Sequence, residues 1–285
     1  MSLCNVGETE EKLDEIMRAV KNWMDAKQLK LNEDKSECLL VGKKNDLRRL
    51  ATATLRMHGT TMEVKHVVRD LGVLVDRHLS FHDQINNVVK ATGYHLKNIA
   101  FIKKYLDEKT IKMLVHNYVM SKLDYCNSLY YRLPNYLLKR LQNVMNRAAR
   151  LIKGLPRRER ITPPLIDLHW LPIKARIIYK ICLMTYQALH FERPKYMNNL
   201  LSAFHLDTSM ILRHSVDRHR LIEPRCNSDI GFRAFATCAP RLYNMMPENI
   251  KNSENLQIFK KKLKTHLFTE CYDLNEKCIK QDYRC

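Results

Sequence analysis

The chain has 285 residues, 45% of them hydrophobic, with 49 Lys and Arg against 30 Asp and Glu, a formal net charge of +19. That length suits one large domain or two to three small ones, and the apolar share excludes global disorder. With only 7 Gly and neither GxGxxG nor GxxxxGK[ST], a phosphate-cradling glycine loop is excluded. No stretch approaches the ~18 consecutive apolar residues of a membrane span. The acidic start MSLCNVGETEEKLDE lacks an apolar core, so no signal peptide is expected. The positive surplus asks for a polyanion, and without a membrane segment nucleic acid is the favoured partner. Nine cysteines without a CxxC pair read as reduced thiols, hence a soluble intracellular protein of nucleus or cytoplasm that is not secreted. Cys271, Cys278 and Cys285 recur every seven residues, too widely for a structural zinc site, and no metal is expected.

Residues 10–28 have Leu13, Ile16, Met17, Val20, Trp23 and Met24 on one helical face. The turn NEDKS, with Lys35, leads into the strand ECLLVG. ATLRMHGTTMEV reads as a hairpin turning at HGTT, and VVRDLGVLVD, residues 67–76, as one further strand. The first 79 residues thus read as a helix followed by a small antiparallel sheet. SFHD, residues 80–83, is a Ser-x-x-Asp cap before a long helix marked by Ile85, Val88, Val89, Leu96, Ile99 and Ile102. Further helices are expected over 108–123 and 136–153, with GLPRRERITPP, residues 154–164, as a linker. Helices follow over 174–189, 194–203 and 256–268, around a loop-rich stretch at 205–230 and before a frayed tail. The fold class is α+β, predominantly α.

Between residues 139 and 160 there are eight basic residues and a single acid, Glu159. Arg140, Asn143, Arg147 and Arg150 recur every three or four residues, opposite the apolar stripe, and Lys139 and Lys153 extend the face. Such a face can track phosphates; the bland alternative is a solvated helix surface. Tyr118, Tyr125, Tyr130, Tyr131 and Tyr136 lie just upstream, either to stack on bases or to pack a bundle. FKKKLKTHLF, residues 259–268, is a second basic helix with Phe259, Leu263 and Leu267 as its seam. It reads equally as a phosphate contact or as an outer helix, and resembles a nuclear-import patch. His78, His82 and Asp83 suit a loop and cap better than a metal, and His169 with Trp170 reads as a buried anchor. No nucleophile elbow and no Asp-Asp pair occurs anywhere in the sequence.

The ordered motifs WMDAKQLKLNEDKSECLLVG, VVRDLGVLVD, LSFHDQINNVVKATGYHLKNIAFIKKYL, SKLDYCNSLYYRLP, LLKRLQNVMNRAARLIKG, ITPPLIDLHWLPIKARIIYKICLMTYQALH and RAFATCAPRLYNMMPENIKNSENLQIFKKKLKTHLF resemble the C-terminal half of the reverse transcriptase of non-LTR (LINE-type) retrotransposons of the jockey and chicken-repeat groups. The resemblance runs from Asp14 to Phe268. It implies that residues 1–79 are the end of a polymerase palm, 80–155 a helical thumb gripping template-primer, and 156–285 the region downstream of the thumb. By the same resemblance Lys35 sits where such polymerases place a general acid toward pyrophosphate. Leu71, Gly72 and Val73 fall at the primer grip, and the 139–153 face contacts RNA or an RNA–DNA duplex.

The family's catalytic YADD box belongs upstream of the first helix and has no match here. Asp25, Asp34, Asp70 and Asp76 do not fit it. The parent enzyme is an RNA-directed DNA polymerase using Mg²⁺, and two-metal phosphoryl transfer needs those carboxylates. This sequence alone is therefore expected to bind nucleic acid without polymerising and to hold no cofactor of its own. The alternative is a host-captured or degenerate helical interaction module. Its uncovered apolar faces would meet a protein partner, the absent fingers and palm, or a second copy.

Overall fold

A computed structural model describes residues 6–32, 36–42, 47, 54–57, 60–191, 194–202 and 220–272. Lys35 lies outside these residues, as do Cys278 and Cys285. The described chain is α+β and mainly helical, and it divides into two compact units, Met1–Gln84 and Ile85–Cys285.

In the first unit, α1 (Val6–Ala26) leaves Leu13, Met17 and Met24 half-buried, while Ile16, Val20 and Trp23 of the same stripe are exposed. Strands β1 (Cys38–Leu39), β2 (Thr54–Met57) and β3 (Thr60–Lys65) form one sheet, in the order β1-β3-β2. The β2–β3 hairpin is antiparallel, with Met57 opposite Thr60, as its alternating apolar residues predict. β1 joins parallel to β3 through Cys38↔Val64 and Leu39↔Lys65, so this sheet is mixed where antiparallel pairing alone is expected.

The segment 67–76 is two strands rather than one. β4 (Val67–Asp70) and β5 (Val73–Asp76) form an antiparallel hairpin, with Asp70 paired to Val73. The reason is the pair Leu71–Gly72, whose φ values are 45° and 86°. Positive φ at both central residues is the pattern of the tight turn that matches strand twist. Glycine adopts it freely; leucine does so rarely.

The loop after β5 is organised by one carboxylate. Asp76 is buried; its Oδ1 accepts the N–H groups of His78 and Ser80 at 3.0 Å each, and its Oδ2 accepts the Phe81 N–H at 2.7 Å and the Ser80 hydroxyl at 3.1 Å. This replaces the expected Ser80–Asp83 cap: the Ser80 hydroxyl is turned toward Asp76 and lies a long 3.4 Å from the His82 N–H. Burial opposes the charge on Asp76. The N–H groups of Ser80, Phe81 and His78 and the Ser80 hydroxyl outweigh it and hold the carboxyl below the ordinary carboxylate range. The same bonds sustain positive φ at Leu79 (51°) and Phe81 (54°).

A depressed folded-state pKa contributes stability above the unfolded value, ~3.9, and loses it as pH falls through the lower folded value. Asp76→Asn puts an NH₂ where one carboxylate oxygen accepts bonds. It is expected to destabilise the first unit by about 1–3 kcal/mol at neutral pH and to flatten its acid dependence below about pH 4. Amide hydrogen exchange across β4 and β5, followed against pH, checks this. Unchanged protection in the variant would contradict it.

The second unit holds most of α2 (His82–Ile102), then a 3₁₀ turn Lys103–Tyr105 and α3 (Glu108–Val115), whose Asp107 carboxylate accepts the Thr110 N–H at 3.2 Å. The expected helix over 108–123 continues, but through a π turn at His116–Met120 into α4 (Ser121–Asp124). After α5 (Asn135–Lys153), Gly154 at φ 68° ends the helix, and α6 (Thr162–Asp167) begins inside the expected linker with prolines in its first turn.

Helix α7 (Ile173–Phe191) is the hub of this unit. It packs against α5, the 3₁₀ turn Asn127–Tyr130, α8 (Lys195–Ser202), α10 (Phe235–Asn244) and α12 (Leu256–Tyr272). Here α9 is Asp229–Arg233 and α11 is Glu248–Lys251. Arg176 of α7 grips both carboxylate oxygens of Asp124, its Nε at 2.7 Å. Buried Tyr186 stacks on Phe259 with ring centres 3.9 Å apart and donates its hydroxyl to the Ser253 carbonyl at 2.6 Å. Trp170 is buried as expected, but His169 beside it is exposed at φ 51°, so the anchor is the tryptophan alone. Residues on both sides of position 155, expected to part thumb from C-terminal region, thus pack together through α5, α6 and α7.

Candidate nucleic-acid interface

Helix α5 owes its position to two opposed faces. Leu137, Leu138, Leu141, Val144, Met145, Ala148, Ala149 and Ile152 are buried, and the basic residues fall on the other side. The six expected contact residues do not share one environment. Lys139, Asn143 and Arg147 are exposed. Arg140 is half-buried and donates to the Asn86 side-chain oxygen at 2.5 Å. Arg150 donates to the Glu159 carbonyl at 3.1 Å, while its Nε is buried without a hydrogen-bond partner. Lys153 bridges Glu108 at 2.6 Å and Asp167 at 2.5 Å. Asp167 and then Glu108 stabilise its ammonium and push its pKa up, and Lys153 in turn holds the Asp167 carboxyl down. It is a clasp between α3, α5 and α6 more than a free phosphate contact.

Asn143, Arg147 and Arg150 converge on a groove of about 950 Å³. Leu96 and Ala100 of α2 and Leu151 and Leu155 give it apolar walls, and Lys103, Asn146 and Arg157 complete its rim. No acid lines it. Gly154 sets the far end: its own N–H and that of Leu155 both bond to the Arg150 carbonyl, which folds the chain back toward α5. Lys103 comes from a 3₁₀ turn far away in sequence, and periodicity along α5 carries no signal for it. Asn146 accepts from Gln142 at 2.8 Å, and Gln142 accepts the Ile173 N–H at 2.9 Å, so the rim is braced against the start of α7.

The three residues expected at the primer grip lie in the first unit as the β4–β5 turn. Leu71 is 84% exposed at the tip, Gly72 completes the turn, and Val73 is buried. Of the five tyrosines, Tyr130 and Tyr131 are core residues, and Tyr118, Tyr125 and Tyr136 are exposed. On α12, Phe259, Leu263 and Leu267 form the buried seam, with Lys261, Lys262 and Lys264 outside. Among the described residues no group of His, Cys, Asp or Glu is gathered as metal ligands, and no helix is long and apolar enough to cross a membrane. Compared with protein-family models, curated proteins and solved structures, the chain matches none.

The unequal environments make a prediction. Arg147→Ala should lower the slope of log affinity for a nucleic-acid duplex against log salt by about one. Lys153→Ala should leave that slope nearly unchanged, because its charge is already met by Glu108 and Asp167. Fluorescence anisotropy over a salt series reads both; equal losses would show that Lys153 is a phosphate contact.

Proposed function

We propose that this protein binds nucleic acid through the groove between α2 and α5, as the thumb-side portion of a non-LTR retrotransposon reverse transcriptase, RNA or an RNA–DNA duplex being its ligand. The groove carries this reading: Lys103, Arg147, Arg150 and Arg157 around apolar walls, with no carboxylate among them. Four cations there fit successive phosphates, and Asn143 and Asn146 add donors that orient a backbone without reading sequence. The ordered sequence motifs supply the polymerase context. In that context the chain grips template-primer, and Lys35 faces departing pyrophosphate only where catalytic carboxylates and Mg²⁺ are provided. By itself the chain binds and does not polymerise.

Releasing counterions from about four phosphates gives a salt slope near −3.5, so affinity should fall about 100-fold from 50 to 200 mM salt. Titration of a labelled RNA–DNA hybrid checks this, and binding indifferent to salt would overturn the groove assignment.

The second reading, a protein-interaction module, draws on Ile16, Val20 and Trp23 exposed along α1. It predicts self-association that Trp23→Glu abolishes, measured by light scattering after size exclusion. A monomer at all concentrations would remove self-association.

A further inference from the structure

Helix α2 carries a second surface that the groove does not use. Lys90, Tyr94, Lys97 and Phe101 recur every three or four residues, and Lys104 and Tyr105 continue the line into the 3₁₀ turn. The opposite face, with Ile85, Val88, Thr92, Leu96 and Ile99, is buried. Tyr94 is 64% exposed, Phe101 80% and Tyr105 74%, and the three lysines are exposed between them. The only acid in α2 is Asp83, in its first turn. The rings are already in organised company: Lys104 Nζ lies 4.8 Å from the Tyr105 ring centre. Tyr94 meets His95 edge-on at 5.6 Å, and His95 stacks on Tyr118 at 5.3 Å.

We infer that this face binds an unpaired stretch of nucleic acid, its bases stacking on Tyr94, Phe101 and Tyr105 and its phosphates meeting Lys90, Lys97 and Lys104. Alternation of cation and ring complements alternation of phosphate and base, and it does so only for a single strand, because a duplex hides its base faces. Tyr94 and Phe101 are seven residues apart, about 10 Å along the helix, room for two or three nucleotides. A second copy of the same face would set lysine against lysine. This inference uses residues other than those of the groove and a different form of the ligand.

The test uses the whole chain and three fluorescent probes of equal length, about 16 nucleotides: an oligouridylate, an abasic strand and a blunt RNA duplex. Tyr94→Ala and Phe101→Ala should each weaken oligouridylate binding about 5- to 100-fold, with duplex affinity and salt slope unchanged. Tyr94→Phe should retain wild-type affinity, since the ring and not the hydroxyl acts. The abasic strand should bind the wild-type chain weakly and be insensitive to either alanine change. Phe101→Leu keeps apolar bulk without the ring and answers the same question should the alanine variant lose helix content. Unchanged oligouridylate affinity overturns the inference, as does an equal loss for strand and duplex. So does a Phe101→Ala effect confined to self-association, which would mark a protein-docking face. If ring variants are silent while Arg147→Ala still reduces the salt slope, only the stacking face falls; if wild-type chain binds none of the probes, both readings fall.

Discussion

Burial of one side of α5 is the constraint on which the second unit depends. Leu137, Leu138, Leu141, Val144, Met145 and Ile152 are each buried there, and a large apolar side chain contributes about 1.5–3 kcal/mol when taken from water. The opposing cost is crowding of like charges on the outer face, a few tenths of a kcal/mol per neighbouring pair in solvent. Burial wins by an order of magnitude. The helix can therefore concentrate arginines on its outer side without losing its place, and the concentration of charge follows from the packing.

Where each cation ends up is decided by residues distant in sequence. Glu108 and Asp167 neutralise Lys153, and Asn86 engages Arg140. What remains open toward the groove is Asn143, Arg147 and Arg150, with Lys103 and Arg157 brought in from flanking turns. Helical spacing identifies the face but not this sorting, because periodicity reports direction and carries no information on what meets a side chain across a helix pair.

The same limit explains the rest of what the sequence conveys. Long amphipathic helices such as α2, α5, α7 and α12 are legible because their apolar residues repeat over many turns. The β4–β5 turn is misread because Leu71 adopts a conformation its residue type disfavours, and Gly72 is the lone warning. Helices α9 to α11 are short, and α10 contains Pro240, so their pattern is too brief to register. Asp76 looks like any strand-end acid; its role lies in four donors from the following five residues. The aromatic stripe on α2 is visible as spacing, yet its exposure becomes evident only when the opposite face is seen to be buried.

The π turn at His116–Met120 has a consequence for how this chain tolerates length change. A π turn holds one residue more than an α turn, so it acts as an inserted residue absorbed within a helix. Here it lets Tyr118 reach His95 while Val119 and Met120 stay buried, and it passes the helix on so that Asp124 meets Arg176. Deleting a single residue from this turn would close it into a regular α turn and leave everything beyond it facing as before. Asp124 would keep its side toward Arg176. Most surface helices accept length changes at their ends; this one carries a spare residue in the middle, where a one-residue deletion is taken up without a change of facing.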